Sequence, residues 1–337
     1  MTICARAARV ALALLLLVCS VSSFASAGTA AALSLHERDG VAARGEIWAE
    51  SGDRDLGFFR TEYRLVQGYR DEELDWNIGT NTIDVLSELT WEDLRSTYTR
   101  LEATLLLPRG LYLRGHVQHG WIRSGSNQDS DFLTSGRSNE SSRSNNEADG
   151  GGFSDVSAGL GFRGPPVRLM HETYQFGLVL GYAYSEQNLV VRDGSQTIPL
   201  LGPFPGLRSK YDARWFGPWL GIELIGRSPL TSLIVTGGLE YHIVYYDAVA
   251  DWNLRTDLDH PESFEHDARG TGFVARLGLR KDLTERLFVE LGVEWSSFSA
   301  DGGDDITNFA DGSQAEINLN EANWSTFSAQ LSFGVGF

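Results

Sequence analysis

Two aspartates one residue apart are the residues of this sequence best suited to chemistry. Asp129 and Asp131 lie in the stretch SGSNQDSDF, residues 124–132, where an alternating apolar run gives way to a polar segment. In an extended chain, residues i and i+2 share one face, so both carboxylates would point the same way. Such a pair raises one of its pKa values, which suits acid–base catalysis or the holding of a water molecule. The alternative is a pair of solvated acids in a surface loop.

The beginning of the chain has the pattern of a secretory signal peptide. Arg6 and Arg9 precede the apolar run 10–21, and the small residues Ala-Ser-Ala at 25–27 form a cleavage site. The apolar run is too short to span a membrane. We therefore expect residues 1–27 to be removed on export.

We expect the exported part, residues 28–337, to be a single domain. Its composition excludes several classes of protein. The two cysteines, Cys4 and Cys19, both fall in the signal segment, so we expect no disulfide framework. The formal net charge of −17 argues against a nucleic-acid partner, which would require a basic face. No later stretch is apolar enough for a spanning helix.

The last eleven residues, FSAQLSFGVGF at 327–337, form the clearest local pattern. Large apolar residues alternate with serine, glutamine and glycine, and this period of two predicts a strand with one apolar face. The chain ends on Phe337 at the close of that strand. Together with the export signal and the 37 glycines, the pattern predicts a strand of an outer-membrane barrel.

The same alternation recurs along the chain and predicts ten strands, the first around 42–62 and the second within 82–107. The predicted fold is all-β: a ten-stranded antiparallel transmembrane β-barrel with long extracellular loops and short periplasmic turns. A barrel of this size has a lumen largely filled by side chains. The predicted outside loops are 63–81, 127–155, 186–211, 247–270 and 299–322.

The charged residues between the apolar ones should face the lumen and pair with each other. His116 and His242 fit hydrogen-bond partners of that network better than catalytic groups. The acidic run 300–312 fits a solvated loop better than a calcium site. The residues predicted to form the interior ion-pair network are Arg114, Glu223, Glu240, Arg276, Arg280, Glu290 and Glu294.

Four stretches resemble the omptin family of outer-membrane endopeptidases, and the resemblance extends over about residues 40–337. DVLSELTW at 84–91 resembles the opening of the family's second strand, and GHVQHGWIRSGSNQDSDF at 115–132 resembles its third strand with an Asp-x-Asp motif. GYAYSEQNLVVRDGS at 181–195 resembles its fifth strand. GGLEYHIVYYDAVADWN at 237–253 resembles its seventh strand, which leads to an Asp-x-His motif.

The resemblance implies a peptidase site in the barrel mouth, with the Asp-x-Asp pair facing the Asp-x-His dyad across a groove. It implies a water nucleophile, cleavage typically between basic residues, and a requirement for lipopolysaccharide. Asp129 and Asp131 match the first motif. Asp251 matches the aspartate of the second motif, but Asn253 stands where its histidine is expected.

Asparagine cannot accept a proton near neutral pH, so another group would have to act as the base. His260 and His266 follow in the same segment. Asp259 directly precedes His260, and adjacent residues of an extended chain face opposite ways, so this pair substitutes poorly unless the loop bulges. The candidate catalytic residues are therefore Asp129, Asp131, Asp251 and His260.

Whether the chain is an enzyme stays open at this point. As an endopeptidase it would act on peptide or protein substrates at the cell surface. The alternative is a non-catalytic barrel: a surface adhesion or structural protein, or a narrow pore. We expect a monomer in contact with outer-membrane lipid and lipopolysaccharide, with no metal or other cofactor.

Overall fold

Long antiparallel strands form the wall of this molecule. The computed structural model describes residues 60–229 and 231–337, so the predicted signal peptide, 1–27, lies outside the described residues. Within those ranges, no helix is long and apolar enough to cross a membrane. The strands are β1 Arg60–Gly79, β2 Ser87–Leu106, β3 Leu111–Thr134, β4 Ser138–Glu147, β5 Gly152–Arg163, β6 Val167–Leu169, β7 Glu172–Ile198, β8 Gly202–Pro203, β9 Arg208–Ser228, β10 Leu233–Asp251, β11 Phe264–Asp282, β12 Leu287–Asn308 and β13 Gln314–Gly336.

The strands close into a ring, because β13 pairs with β1, for example Val335 opposite Tyr63. β3 pairs with β5 over its first half and with β4 over its second half, so β4 and β5 share one position in the wall. The order around the ring is β1, β2, β3, β5 with β4, β7, β9, β10, β11, β12 and β13, which gives ten positions. The predicted all-β, ten-stranded antiparallel barrel is confirmed. Closure therefore pairs every strand of the described ring on both sides, as a membrane requires.

The predicted division between lipid-facing and lumen-facing residues is also confirmed. In β13, Phe327 and Phe333 are exposed while Ser328 and Ser332 are buried. The same alternation occurs in β7, where Leu178 and neighbouring large apolar residues point outward. Apolar side chains therefore cover the outer surface of the lower barrel, where they meet lipid rather than water.

The position of the first strand was predicted wrongly. The described part of β1 covers Arg60–Gly79, whereas the sequence pattern placed the strand around 42–62 and a loop over 63–81. Most of 42–62 lies outside the described residues. Lumen-facing charged residues such as Arg70 and Glu72, which are both buried, gave this stretch the composition of a loop.

The outside loops were also predicted to be longer than they are, because the strands continue through most of the predicted loop residues. Above the lipid band the outer face of the wall meets water, so the apolar alternation fades although the hydrogen-bonded ladder persists. We call this end of the barrel the mouth and the opposite end the turn end. The mouth connections are 80–86, 135–137, 199–207, 252–263 and 309–313, and the turn-end connections are 107–110, 164–171, 229–232 and 283–286.

The lower lumen is filled by charged side chains, as predicted. Arg276 contacts both Glu240 and Glu294, and Arg100 lies 2.8 Å from Glu294. Nε2 of His242 lies 3.2 Å from Glu240, which confirms its predicted role as a partner of the network. The space left between these groups includes polar cavities of about 150 and 60 Å³, both lined in part by His116. Other pairs of the network include Arg114 with Glu223 and Glu240, Arg64 with Glu290, and Arg280 with Glu62 and Asp282.

The upper interior, by contrast, is packed with aromatic rings. Trp91 and Tyr211 stack at 5.2 Å between ring centroids, and Trp215 lies 4.4 Å from Tyr246. These rings belong to one continuous buried apolar cluster that extends around the inside of the wall. The aromatic layer lies between the charged lumen and the mouth, beneath the candidate site.

Candidate functional site

Asp129 and Asp131 lie on β3 near the mouth, opposite Leu89 and Ser87 of β2. A bulge decides which way they point. Arg95 pairs with Ser124 and the next residue of β2 pairs with Ile122, so Arg123 is left without a partner in the ladder. An extra residue reverses the alternation beyond it.

Below the bulge the even-numbered residues of β3 face the interior, and above it the odd-numbered residues do. Ile122 is buried on one side of the bulge, and Asn127 is buried on the other. Asp129 and Asp131 share the face of Asn127, because side chains alternate with a period of two. The bulge therefore aims both carboxylates into the barrel mouth, where the sequence analysis required them to be.

The two carboxyl groups have perturbed protonation. Burial and, to a smaller extent, the negative charge of Asp131 together raise the pKa of Asp129 to about 7, against a hydrogen bond from Trp252 and the positive charge of Arg255. Burial also raises the pKa of Asp131, while hydrogen bonds from Ser87 and Ser142 and the charge of Arg255 oppose the shift. Near neutral pH the pair can therefore hold one proton between two carboxyl groups, as acid–base sites do.

The residues that face the acid pair come from the segment 252–263, which connects β10 to β11. Trp252 packs against Phe264 at 4.8 Å between ring centroids. Arg255 is held by Asp257 through two hydrogen bonds, of 2.9 and 2.7 Å. Sequence reasoning did not identify Trp252, which fills the variable position between Asp251 and Asn253, or Arg255. Their positions depend on the path of this segment.

Backbone contacts fix the segment 252–263 against its neighbour. Leu258 forms a bridge with Phe309 in the connection between β12 and β13. The N–H of Asp259 donates to the carbonyl of Asn308 at 2.9 Å, and the N–H of Ala310 donates to the carbonyl of Asp257 at 3.0 Å. The segment is thus an ordered cover on the wall that lies across the mouth from β3.

Asp251 and His260 are brought together by the same segment. Nδ1 of His260 lies 2.7 Å from Oδ1 of Asp251, although nine residues separate them. Asp251 ends β10 opposite Lys210 of β9, on the outward face, while the preceding Ala250 is fully buried on the inward face. The structure therefore gathers the four candidate residues into two pairs, one inside the mouth and one on the outer rim.

Asn253 has a structural role. Its Oδ1 accepts the backbone N–H of Arg208 at 2.8 Å and the hydroxyl of Ser209 at 3.3 Å. Its Nδ2 donates to the carbonyl of Gly206 at 2.8 Å. The amide thus joins the segment 252–263 to the start of β9 through one acceptor atom and one donor atom of the same side chain.

His266, the other histidine of this region, is completely buried. Its Nε2 lies 2.9 Å from Asp305, and its Nδ1 lies 2.9 Å from the hydroxyl of Tyr211. A substrate in the mouth could not reach this imidazole in the described arrangement. Asp305 lies within the run 300–312, which the sequence analysis interpreted as a solvated loop. That interpretation was wrong for this residue, because β12 continues to Asn308.

Comparison with known proteins agrees with the fold. A family model described as "Pom: Protochlamydia outer membrane protein" matches residues 64–337. The chain superposes on the outer-membrane protease OmpT from Escherichia coli with a TM-score of 0.65 and 13% identity, covering 87% of this chain and 100% of OmpT. This likeness confirms an omptin-like barrel at the level of the fold.

Other solved barrels are less similar. The translocator domain of the autotransporter NalP from Neisseria meningitidis gives a TM-score of 0.34 at 13% identity, covering 84% of this chain and 90% of that one. The outer-membrane protein OprG from Pseudomonas aeruginosa gives 0.29 at 13% identity, with 82% and 95% covered. No curated protein matches this sequence.

Proposed function

This chain belongs to the Protochlamydia outer membrane protein family, and we propose that it is a cell-surface endopeptidase in which Asp129 and Asp131 activate a water molecule. The barrel lies in an outer membrane of the Gram-negative type. One observation carries the proposal: the bulge at Arg123 aims both carboxylates into the mouth, where the pKa of Asp129 is raised to about 7.

In the proposed mechanism, one of the two carboxyl groups is protonated and the other is ionised. The ionised carboxylate takes a proton from water as the water oxygen attacks the peptide carbonyl carbon. The protonated partner donates its hydrogen to the carbonyl oxygen, on which negative charge develops. The proton taken from water then passes from the first carboxyl group to the leaving nitrogen as the carbon–nitrogen bond breaks. The carbonyl forms again as its hydroxyl returns a proton to the partner carboxylate.

Asp251 and His260 have a different role in this proposal, because they face the outer rim. Their hydrogen bond joins the end of β10 to the end of the segment 252–263. It thereby supports the position of Trp252 and Arg255 against the acid pair. We treat His260 as a positioning residue rather than as the group that takes the proton from water.

The competing proposal for the same barrel is a non-catalytic surface protein or a narrow pore. The charged network and the aromatic layer fill most of the described lumen, which is unfavourable for a pore. Planar-bilayer conductance of the refolded protein measures this directly. Steady conductance comparable with that of an open channel would favour the pore.

Peptide cleavage tests the proposal. The refolded barrel, supplied with lipopolysaccharide, would be incubated with a mixed peptide library and the products identified by mass spectrometry. Asp129→Asn and Asp131→Asn should each reduce cleavage by about 10²- to 10⁴-fold, the usual contribution of a general acid or base. Asp304→Asn, a matched change at an exposed position on β12, should have no such effect.

Two results would contradict the proposal. One is a correctly folded wild-type barrel that cleaves none of the peptides. The other is cleavage that survives both aspartate substitutions, which would place the chemistry elsewhere or in a contaminating protease. Heat-modifiable migration on a gel confirms folding of every variant before activity is compared.

A further inference from the structure

Four buried polar residues form one hydrogen-bonded chain inside the upper barrel, apart from the acid pair. The hydroxyl of Tyr246 bonds to the hydroxyl of Tyr211, which bonds to Nδ1 of His266 at 2.9 Å. Nε2 of His266 then bonds to Asp305 at 2.9 Å. All four residues are almost completely buried, so water does not compete for these hydrogen bonds.

The direction of each hydrogen bond follows from Asp305. A carboxylate only accepts, so Nε2 of His266 carries the hydrogen that it donates to Asp305. In the neutral imidazole Nδ1 is then an acceptor, and the hydroxyl of Tyr211 donates to it. The oxygen of Tyr211 accepts in turn from the hydroxyl of Tyr246. The phenol of Tyr211 is therefore poised to pass its proton to His266.

Burial also keeps this phenol protonated. It raises the pKa of Tyr211 well above the ordinary value. Tyr211 therefore keeps its proton at neutral pH as long as the phenol is not oxidised. Loss of an electron makes a phenol a much stronger acid, so electron and proton would leave Tyr211 together.

Oxidisable rings connect Tyr211 to both sides of the barrel interior. Trp76 and Trp91 stack on Tyr211 with centroids 5.9 and 5.2 Å away. On the other side, Tyr246 lies 4.4 Å from Trp215, which stacks on Trp324 at 6.0 Å. Electrons can move between aromatic rings over such separations.

Sulfur, the usual first target of oxidants, is almost absent from the chain. Its only cysteines are Cys4 and Cys19, and its only methionines are Met1 and Met170. Met170 is exposed at the turn end, far along the barrel from the mouth. Tryptophan and tyrosine are therefore the side chains of the upper barrel that give up an electron most easily.

From this geometry we propose that Tyr211 is a redox-active tyrosine, with His266 as its proton acceptor and the neighbouring tryptophans as its path for electrons. A one-electron oxidant takes one electron from Tyr211, directly or through Trp76 or Trp91, and is itself reduced. The O–H bond of Tyr211 breaks and its proton forms an N–H bond at Nδ1 of His266. The products are a neutral phenoxyl radical and an imidazolium paired with Asp305.

This site is distinct from the proposed endopeptidase and does not depend on it. In an exported barrel, a tryptophan that has lost an electron would recover it from Tyr211. The radical would then remain on Tyr211. The oxidants concerned are one-electron oxidants at the cell surface, such as oxygen-centred radicals.

Flash oxidation tests the proposal on the full refolded barrel. A ruthenium(III) polypyridyl complex, generated by light with a sacrificial acceptor, serves as the oxidant, and the radical is trapped by freezing and recorded by electron paramagnetic resonance. The wild type should give a neutral tyrosyl signal at neutral pH. Tyr211→Phe should lose most of it and leave a tryptophan signal instead.

Three further variants separate the roles of these residues. His266→Gln removes the proton acceptor but not the phenol, and should lower the yield of tyrosyl radical several-fold. Tyr241→Phe, on the outward face of β10 beside Phe273 and with no histidine partner among the described residues, is the matched control and should leave the signal unchanged. Tyr246→Phe should also retain it, because Tyr211 keeps its bond to His266.

Three outcomes would overturn the proposal. They are a wild-type signal from tryptophan alone, an unchanged tyrosyl signal in Tyr211→Phe, and an unchanged yield in His266→Gln. If Tyr211→Phe does not fold, His266→Gln and the solvent isotope effect on radical formation decide the question. A yield that does not respond to deuterated water would exclude coupled loss of the proton.

Discussion

Nδ1 of His260 lies 2.7 Å from Oδ1 of Asp251. This contact joins the last residue of β10 to the second half of the segment 252–263. The two residues are nine positions apart, so no motif joins them. Asp251 belongs to the outward face of β10. The pair is therefore well placed to hold the segment and poorly placed to reach a water molecule between Asp129 and Asp131.

We predict that His260→Gln retains most of the peptide cleavage, because an amide can still donate a hydrogen bond to Asp251. His260→Ala should lower cleavage several-fold by loosening the segment that carries Trp252 and Arg255. The measurement is kcat and KM for both variants, with His171→Ala at the turn end as the control. An equal loss of about 10²-fold or more in both variants would instead identify His260 as the proton acceptor.

We predict that Asp129→Asn changes how stability depends on pH. The pKa of Asp129 is raised in the folded state to about 7, above the value of about 3.9 in an unfolded chain. The folded state therefore binds this proton more tightly, and the wild type loses stability as pH rises from about 4 to about 7. Because asparagine does not titrate, the variant should be the more stable protein at pH 8.

Urea unfolding in lipid vesicles between pH 4 and pH 8 measures this effect. Asp304→Asn, at an exposed position on β12, serves as the control. Parallel stability curves for wild type and Asp129→Asn across this range would show that the carboxyl group of Asp129 titrates normally.

We predict that Asn253→His does not create a more active enzyme. The change removes the hydrogen bonds to Arg208 and Gly206 that anchor the segment 252–263. Limited proteolysis of the folded barrel should therefore cut this segment faster in the variant, and peptide cleavage should stay equal or fall. A gain in cleavage of tenfold or more would show that the position still faces the reacting groups.

We predict that Glu240→Gln destabilises the barrel by about 3 kcal/mol, because breaking a buried ion pair leaves an uncompensated charge. Glu240 contacts Arg114, Arg276 and His242 in the lower lumen. Its loss should appear as a lower urea midpoint in lipid vesicles. Glu285→Gln, on an exposed turn, should leave the midpoint unchanged. Equal midpoints for both variants would mean that the network contributes little to stability.

The sequence by itself determined the class of the fold, because alternation with a period of two is a local property. Residues 327–337 show it without interruption, and β13 has the predicted faces. Charged residues between apolar ones were correctly assigned to the lumen, since lipid does not tolerate them. The same logic failed for β1, where buried Arg70 and Glu72 have the composition of a loop although they belong to the wall.

Only the tertiary structure decided how the candidate residues are arranged. The bulge at Arg123 turns Asp129 and Asp131 inward, and it depends on the ladder with β2 rather than on any local signal. The path of the segment 252–263 joins Asp251 to His260, and the continuation of β12 brings Asp305 to His266. Hydrogen bonds between residues far apart in sequence have no periodicity, so the pattern of residues could suggest the chemistry but could not place it.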